Sequence, residues 1–316
     1  MTNIYVYSNS TISKAANTIK NGGLVAFPTE TVYGLGANAF DSKAVAKIFE
    51  AKGRPNFNPL ISHIAEIESL HELAQTDERV IALAKQFWPG PLTFVLNRKK
   101  LDPSFDLVCA GLPTLSVRMP NHPIALELIK QAGVPIAAPS ANRSQSISPT
   151  TARHVYESLG LRVDMIIDGG ACNVGVESTI IDLTTKKTVL LRAGGLAKED
   201  IENFLNEEVI ISHGNPELPS SPGQMLKHYA PKIPTRINIT PQERSENEFY
   251  IGFGEMQCDL NLSPKADLVE AAANLFAFMH LAEEQTKYSA IAIAPIPDTG
   301  LGLAINDRIR RASYNK

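Results

Sequence analysis

The sequence predicts an α/β protein, with a mixed twisted sheet flanked by helices and then a smaller α/β unit. Three observations predict it. Short apolar runs of strand length alternate with amphipathic, helix-length segments through the first two thirds of the chain. Their uneven order departs from a strict strand–helix–strand series, which favours a mixed sheet. After a proline-rich polar stretch the alternation resumes, and at 316 residues the chain exceeds the usual size of one core.

In chain order, strands are expected at residues 24–27, where Pro28 stops the run, and at 92–96, 115–119, 134–138, 165–167, 179–183 and 188–191. Helices are expected at 11–20, 42–51, 77–87, 123–132, 151–159 and 198–206. These form a first domain over residues 1–205. Pro216, Pro219, Pro222, Pro231 and Pro234 then exclude a regular element interior. Residues 206–235 are expected to be an ordered linker, because Met225, Leu226, His228 and Tyr229 offer side chains that can dock. The last unit, 236–316, carries a strand at 249–253, an amphipathic helix at 264–285, a strand at 290–294 and a helix at 303–311 with a basic C-terminal end.

A formal charge of −3 and a pI near 6.2 argue against a large, charge-driven nucleic-acid surface. The first residues lack a basic start followed by an apolar core, so no secretory signal is expected, and no apolar run approaches a membrane span. Cys109, Cys172 and Cys258 lie far apart without CxxC spacing, which points away from disulfides and zinc and towards a reduced cytoplasm.

Several segments place chemistry-bearing residues at element ends. In Lys52-Gly53-Arg54-Pro55, a helix gives way to a turn that holds two cations together. The pair reads either as a basic helix C-terminus suited to the macrodipole or as a clamp for phosphate oxygens. In the strand at 114–119, Leu115, Val117 and Met119 share one face, and Thr114, Ser116 and Arg118 share the other. That polar face either meets water or lines a cleft, with Arg118 as a carboxylate anchor. The hydroxyl-rich loop 138–150 leaves a strand and enters a helix. It reads as a turn with Ser148 or Thr150 capping that helix, or as an anion site. Loop 28–36 also leaves a strand end, the usual place for a site in an α/β sheet. His63 lies on an apolar run, where a histidine commonly serves the core. Neither a GxGxxG nor a Walker A pattern is present.

PTETVYGLG, KGRPNFNPLISHI, GLPTLSVRMP, APSANRSQSISPT, DGGACNVGVESTIID and LLRAGG follow one another in this chain. In order and spacing they resemble the YrdC-like domain of L-threonylcarbamoyladenylate synthase. SPGQMLKHYAP and DTGLGLAINDRIRRAS resemble the two-domain form of that enzyme, whose smaller domain is Rossmann-like. The resemblance implies condensation of L-threonine, bicarbonate or CO2, and ATP into threonylcarbamoyl-AMP and pyrophosphate, a nucleotidyltransferase reaction. The product feeds N6-threonylcarbamoyladenosine formation in tRNA through downstream transfer proteins.

By similarity, Thr31, His63, Arg118, Ala138 and Ser178 form the threonine site, and Arg54, Asn58, Thr114, Ser140, Ser148, Arg192 and Tyr229 hold ATP. Lys52 and Arg54 act in catalysis, Mg2+ comes with ATP, and no protein metal site is expected. SPGQMLKHYAP becomes a lid that carries Tyr229 and His228 to the nucleotide. A weak direct contact with tRNA is compatible with this class, and a pure RNA-binding module is the rival reading. Two positions depart from the family pattern: Gln145 stands where SANxSG has glycine, and Ala193 where LRPG has proline. The loop around Gln145 is expected to shift if that position requires a positive φ.

Overall fold

A computed structural model describes residues 2–99, 103–212, 221 and 228–314. Eleven strands form the first sheet: β1 (Ile4–Val6), β2 (Val25–Phe27), β3 (Gly34–Asn38), β4 (Ile61–His63), β5 (Leu92–Asn97), β6 (Thr114–Arg118), β7 (Ile136–Ala137), β8 (Met165–Asp168), β9 (Thr179–Asp182), β10 (Val189–Arg192) and β11 (Ile210–Ile211). Their order is β1-β8-β2-β3-β7-β4-β6-β5-β9-β10-β11, and parallel and antiparallel pairs are mixed as expected. The second sheet is all parallel, with β12 (Thr235–Ile237), β13 (Glu248–Gly252), β14 (Leu260–Asn261) and β15 (Ala290–Ile293) in the order β12-β15-β13-β14.

The helices are α1 (Asn9–Lys20), α2 (Ser42–Lys52), α3 (Leu70–Leu73), α4 (Glu78–Phe87), α5 (Pro123–Ala132), α6 (Ala152–Leu159), α7 (Lys198–Leu205), α8 (Leu268–Glu284) and α9 (Gly302–Ala312). Side-chain caps set many starts: Asp41, Asp77 and Asp267 accept from backbone N–H groups of the first turns of α2, α4 and α8. The α6 cap is Thr151, whose hydroxyl accepts from His154 N at 3.2 Å, rather than Ser148 or Thr150. No helix among the described residues is long and apolar enough to cross a membrane.

Some elements differ from the sequence reading. β3 and β4 were hidden because their residues alternate no polarity: both are almost wholly buried. The sheet also continues past residue 205, since β11 pairs in parallel with β10. Most of the linker, residues 213–220 and 222–227, lies outside the described residues, including Pro222 to Lys227 of the expected lid. Tyr229 is fully buried, and it packs with Val32, Ile147 and Val176 in the same apolar cluster as the core of the second sheet.

Gln145 has φ 73°, so the position does require the left-handed conformation, and its carbonyl accepts from Ala230 N at 2.8 Å. A side chain there costs about 1 kcal/mol relative to glycine. Gln145→Gly is therefore expected to raise the melting temperature slightly, whereas Gln145→Ala leaves it where it is. A Gly variant less stable than the Ala variant would remove this strain argument.

His154 of α6 stacks on His280 of α8 with ring centroids 3.9 Å apart, and Arg153, Glu157, Glu283 and Glu284 surround the pair. Burial, then the partner ring and Arg153, push His154 down to about 3, and burial lowers His280 as well. An unfolded histidine titrates near 6.5. As pH falls from about 6.5 towards 3, the unfolded chain binds more protons than the folded one, so the pair's stabilisation is complete above that window and lost within it. The melting temperature is expected to fall between pH 7.5 and 5, and less steeply in the His154→Gln/His280→Gln variant. An unchanged slope in that variant would exclude the pair as a contributor.

Candidate active site

β4 and β6 pair in parallel with His63 opposite Arg118, so two strand ends carry both side chains to one place. Leu115 and Val117 join the apolar core, while Arg118 is only 4% exposed on the opposite face. The polar face of β6 therefore turns into the protein rather than to water. Arg118 donates from Nη1 to Thr31 Oγ1 at 2.9 Å and from Nε to Gly90 O at 3.2 Å, and its Nη2 lies 2.6 Å from Glu30 Oε1. A guanidinium has five N–H donors, so donors remain for a ligand carboxylate. Burial, then Arg118, pushes His63 down to about 3, which keeps it neutral, and its Nδ1 has no hydrogen-bond partner among the described residues.

The second wall comes from β9 and β10. Their antiparallel register shifts between Leu190 and Arg192, and such a bulge re-aims the side chain that follows it. Arg192 donates to Ser178 O from Nε at 3.1 Å and from Nη2 at 2.8 Å, with Ser178 Oγ 3.1 Å away. Gly194 permits this closeness, because a Cβ there would stand 2.3 Å from Ser178 C and Thr179 N. Thr93 Oγ1 lies 2.8 Å from Ser178 Oγ on the far side.

The Lys52–Arg54 turn closes the third side. Gly53, at φ 61°, ends α2 in the left-handed conformation and sends the chain back across the sheet. Arg54 donates from Nη2 to Pro59 O at 2.9 Å, and burial lowers its pKa to about 10. Lys52 turns the other way: its Nζ donates to the carbonyls of Ser140 and Asn142, both at 2.5 Å, while Ser144 N donates to Lys52 O at 2.8 Å. Lys52 thus fastens the Ser140 loop. Burial, then Arg54, lowers its pKa well below the usual ammonium value.

Thr31, Arg54, His63, Arg118, Ala138, Ser140, Ser178, Arg192 and Tyr229 all line one cleft. Lys52, Asn58, Thr114 and Ser148 do not line it. Asn58 is buried beside it, with its carbonyl 3.4 Å from Arg54 Nε; Thr114 begins β6, and Ser148 turns its hydroxyl to Glu177. Glu177 was missed by sequence reasoning. Among the described residues it is the carboxylate that lines the cleft, and it accepts from Ser148 Oγ at 2.6 Å and from Arg308 Nε at 2.8 Å. Burial raises its pKa, but Arg308, Arg192 and Ser148 outweigh that and hold it at about 2. No local pattern marks a lone carboxylate before a strand, and its only signal was its place inside DGGACNVGVESTIID.

A family model described as Telomere recombination matches residues 17–194, and one described as Threonylcarbamoyl-AMP synthase, C-terminal domain, matches residues 196–313. A threonylcarbamoyl-AMP synthase of Pyrococcus abyssi is 44% identical over 95% of this chain and 93% of its own length. The chain belongs to the two-domain threonylcarbamoyl-AMP synthase family.

A Bacillus subtilis threonylcarbamoyl-AMP synthase is 43% identical over 96% of this chain and 92% of its own. The crystal structure of P. abyssi Sua5 complexed with L-threonine superposes with a TM-score of 0.89 at 41% identity, covering 98% of this chain and 97% of that one. The mixed sheet followed by a parallel one is thus the architecture of this synthase family.

Proposed function

We infer that the chain's threonylcarbamoyl-AMP synthase activity, which serves N6-threonylcarbamoyladenosine formation in tRNA, resides in the cleft between β4, β6 and β9. One observation carries this reading: Arg54, Arg118 and Arg192 are all at least nine-tenths buried and line one cavity. Three guanidiniums converging on one cavity, with Glu30 already beside Arg118, suit a substrate carboxylate and a triphosphate, which guanidinium forks grip well. Arg118, with Thr31, His63, Ala138 and Ser178, takes L-threonine. Arg54, Ser140, Arg192 and Tyr229 take ATP, with Asn58, Thr114 and Ser148 supporting them from behind, and Lys52 holds the Ser140 loop in place.

The threonine nitrogen attacks CO2, supplied by bicarbonate, and loses a proton to give a carbamate. A carbamate oxygen then attacks the α-phosphorus, the bond to the β-phosphate oxygen breaks, and pyrophosphate leaves. The protein contributes positioning and neutralisation of developing charge rather than a covalent intermediate. Neutral His63 offers a hydrogen bond without adding a second cation beside Arg118. Magnesium arrives as MgATP. Among the described residues no three acidic, histidine or cysteine side chains converge, and Glu177 is already engaged by Ser148 and Arg308, so the residues do not form a metal cage. Bound with ATP, magnesium would take phosphate oxygens and waters as ligands and would offset charge on the triphosphate beside Arg54 and Arg192.

The cavity measures about 50 Å³, well under the ~300–1,000 Å³ of an ordinary ligand pocket. A cavity this small opens further to admit ATP, and the place of His228 and Tyr229 in its wall supports a lid role for the segment that carries them. Three free cysteines agree with a cytoplasmic location, where downstream transfer proteins consume the adenylate. Purified protein with MgATP, bicarbonate and L-threonine tests the reading. Pyrophosphate release should need both threonine and bicarbonate, and release indifferent to threonine would overturn it.

A further inference from the structure

The C-terminal unit reaches the cleft wall through Arg308 of α9, a side chain with no exposed surface. Its Nε donates to Glu177 Oε2 at 2.8 Å and its Nη1 to Ala193 O at 2.9 Å, while its guanidinium carbon sits 5.3 Å from the centroid of Tyr229. The other oxygen of Glu177 accepts from Ser148 Oγ at 2.6 Å. A second residue of the same unit, His280 of α8, has Nε2 3.1 Å from Ser148 O. Both polar ends of Ser148 thus depend on the C-terminal unit, one directly and one through Glu177.

Docking alone does not call for this arrangement. The surfaces already meet through an apolar cluster in which Val32, Ile147 and Val176 join the core of the second sheet. A buried ion pair carries a desolvation penalty that an apolar contact of similar volume avoids.

We propose that Arg308 is a positioning residue of the active site: it holds Glu177, and through it Ser148, so that the ATP wall is complete only when the C-terminal unit is docked. This rests on the assignment of Arg192 and Ser148 to the nucleotide side made above. Arg308→Met, Arg308→Lys and Arg308→Met/Glu177→Gln are to be compared in the full chain by melting temperature and by separate KM values for ATP and threonine.

Arg308→Met is expected to raise the ATP KM at least tenfold with the threonine KM within about twofold, and Arg308→Lys, which keeps charge but loses the fork, to fall between. The double variant removes both partners of the Arg308–Glu177 pair together. It should regain most of the parental melting temperature without regaining the parental ATP KM. A double variant with parental ATP KM, or one in which both KM values rise together, overturns the proposal, and this comparison decides even if Arg308→Met alone does not fold. Arg54→Ala and Arg118→Ala serve as controls. If neither lowers turnover, the cleft assignment itself has failed; if both do and the double variant keeps the parental ATP KM, only the role of Arg308 has.

Discussion

Replacing Arg118 by alanine is expected to abolish threonine-dependent pyrophosphate release almost completely. Truncating one partner of a buried, hydrogen-bonded charge pair costs about 2–5 kcal/mol in binding, roughly a 30- to several-thousand-fold loss in kcat/KM. Stability suffers too, because Glu30, 2.6 Å from Arg118 and 6% exposed, would be left as an unpaired buried carboxylate. That costs about 3–5 kcal/mol. Arg118→Met/Glu30→Gln separates the two effects: it should recover most of the melting temperature and none of the turnover. Activity returning with stability would show that Arg118 only props up the sheet end. Arg118→Lys should remain impaired, since an ammonium reproduces neither the hydrogen bonds to Thr31 and Gly90 nor a two-point grip on a carboxylate.

Arg54→Ala is expected to be the second most damaging change, and selectively on the nucleotide side. Charge-assisted hydrogen bonds contribute about 1.5–3 kcal/mol each, so the ATP KM should rise by roughly 10- to 100-fold for each such bond to phosphate. Threonine affinity, measured by calorimetry without ATP, should stay close to the parental value because Arg118 stands on the other wall. Arg54 also braces its own loop through Pro59 O, so melting should confirm that the variant is folded. An ATP KM left unchanged would move the phosphate-binding role elsewhere in the cleft.

The sequence reading was most accurate where a local rule operates. The left-handed Gly53 and the period-two pattern of β6 were both legible, because each depends on residues a few positions apart. β3 and β4 were not, since a strand buried on both faces has no alternation to read. Lys52 shows what spacing leaves open. Its distance from Arg54 along the chain allowed either a basic helix C-terminus or a joint clamp, and the end of α2 sends the two cations to different partners, Lys52 to loop carbonyls and Arg54 to the cleft. Nothing within a few residues distinguishes these outcomes.

By itself, then, the sequence determined the class of fold, the ordered motifs that mark the synthase family, and which arginines, hydroxyls and histidine were candidates for its site. Those are properties of residue type and short-range spacing. The tertiary structure alone decided which of them meet. The parallel register of β4 and β6 sets His63 beside Arg118, a bulge in β10 turns Arg192 onto Ser178, and α9 brings Arg308 to Glu177 from the far end of the chain. The physical reason is that strand register, sheet order and domain docking are fixed by the burial of whole faces, which sums over residues distant in sequence and leaves no mark at any one position.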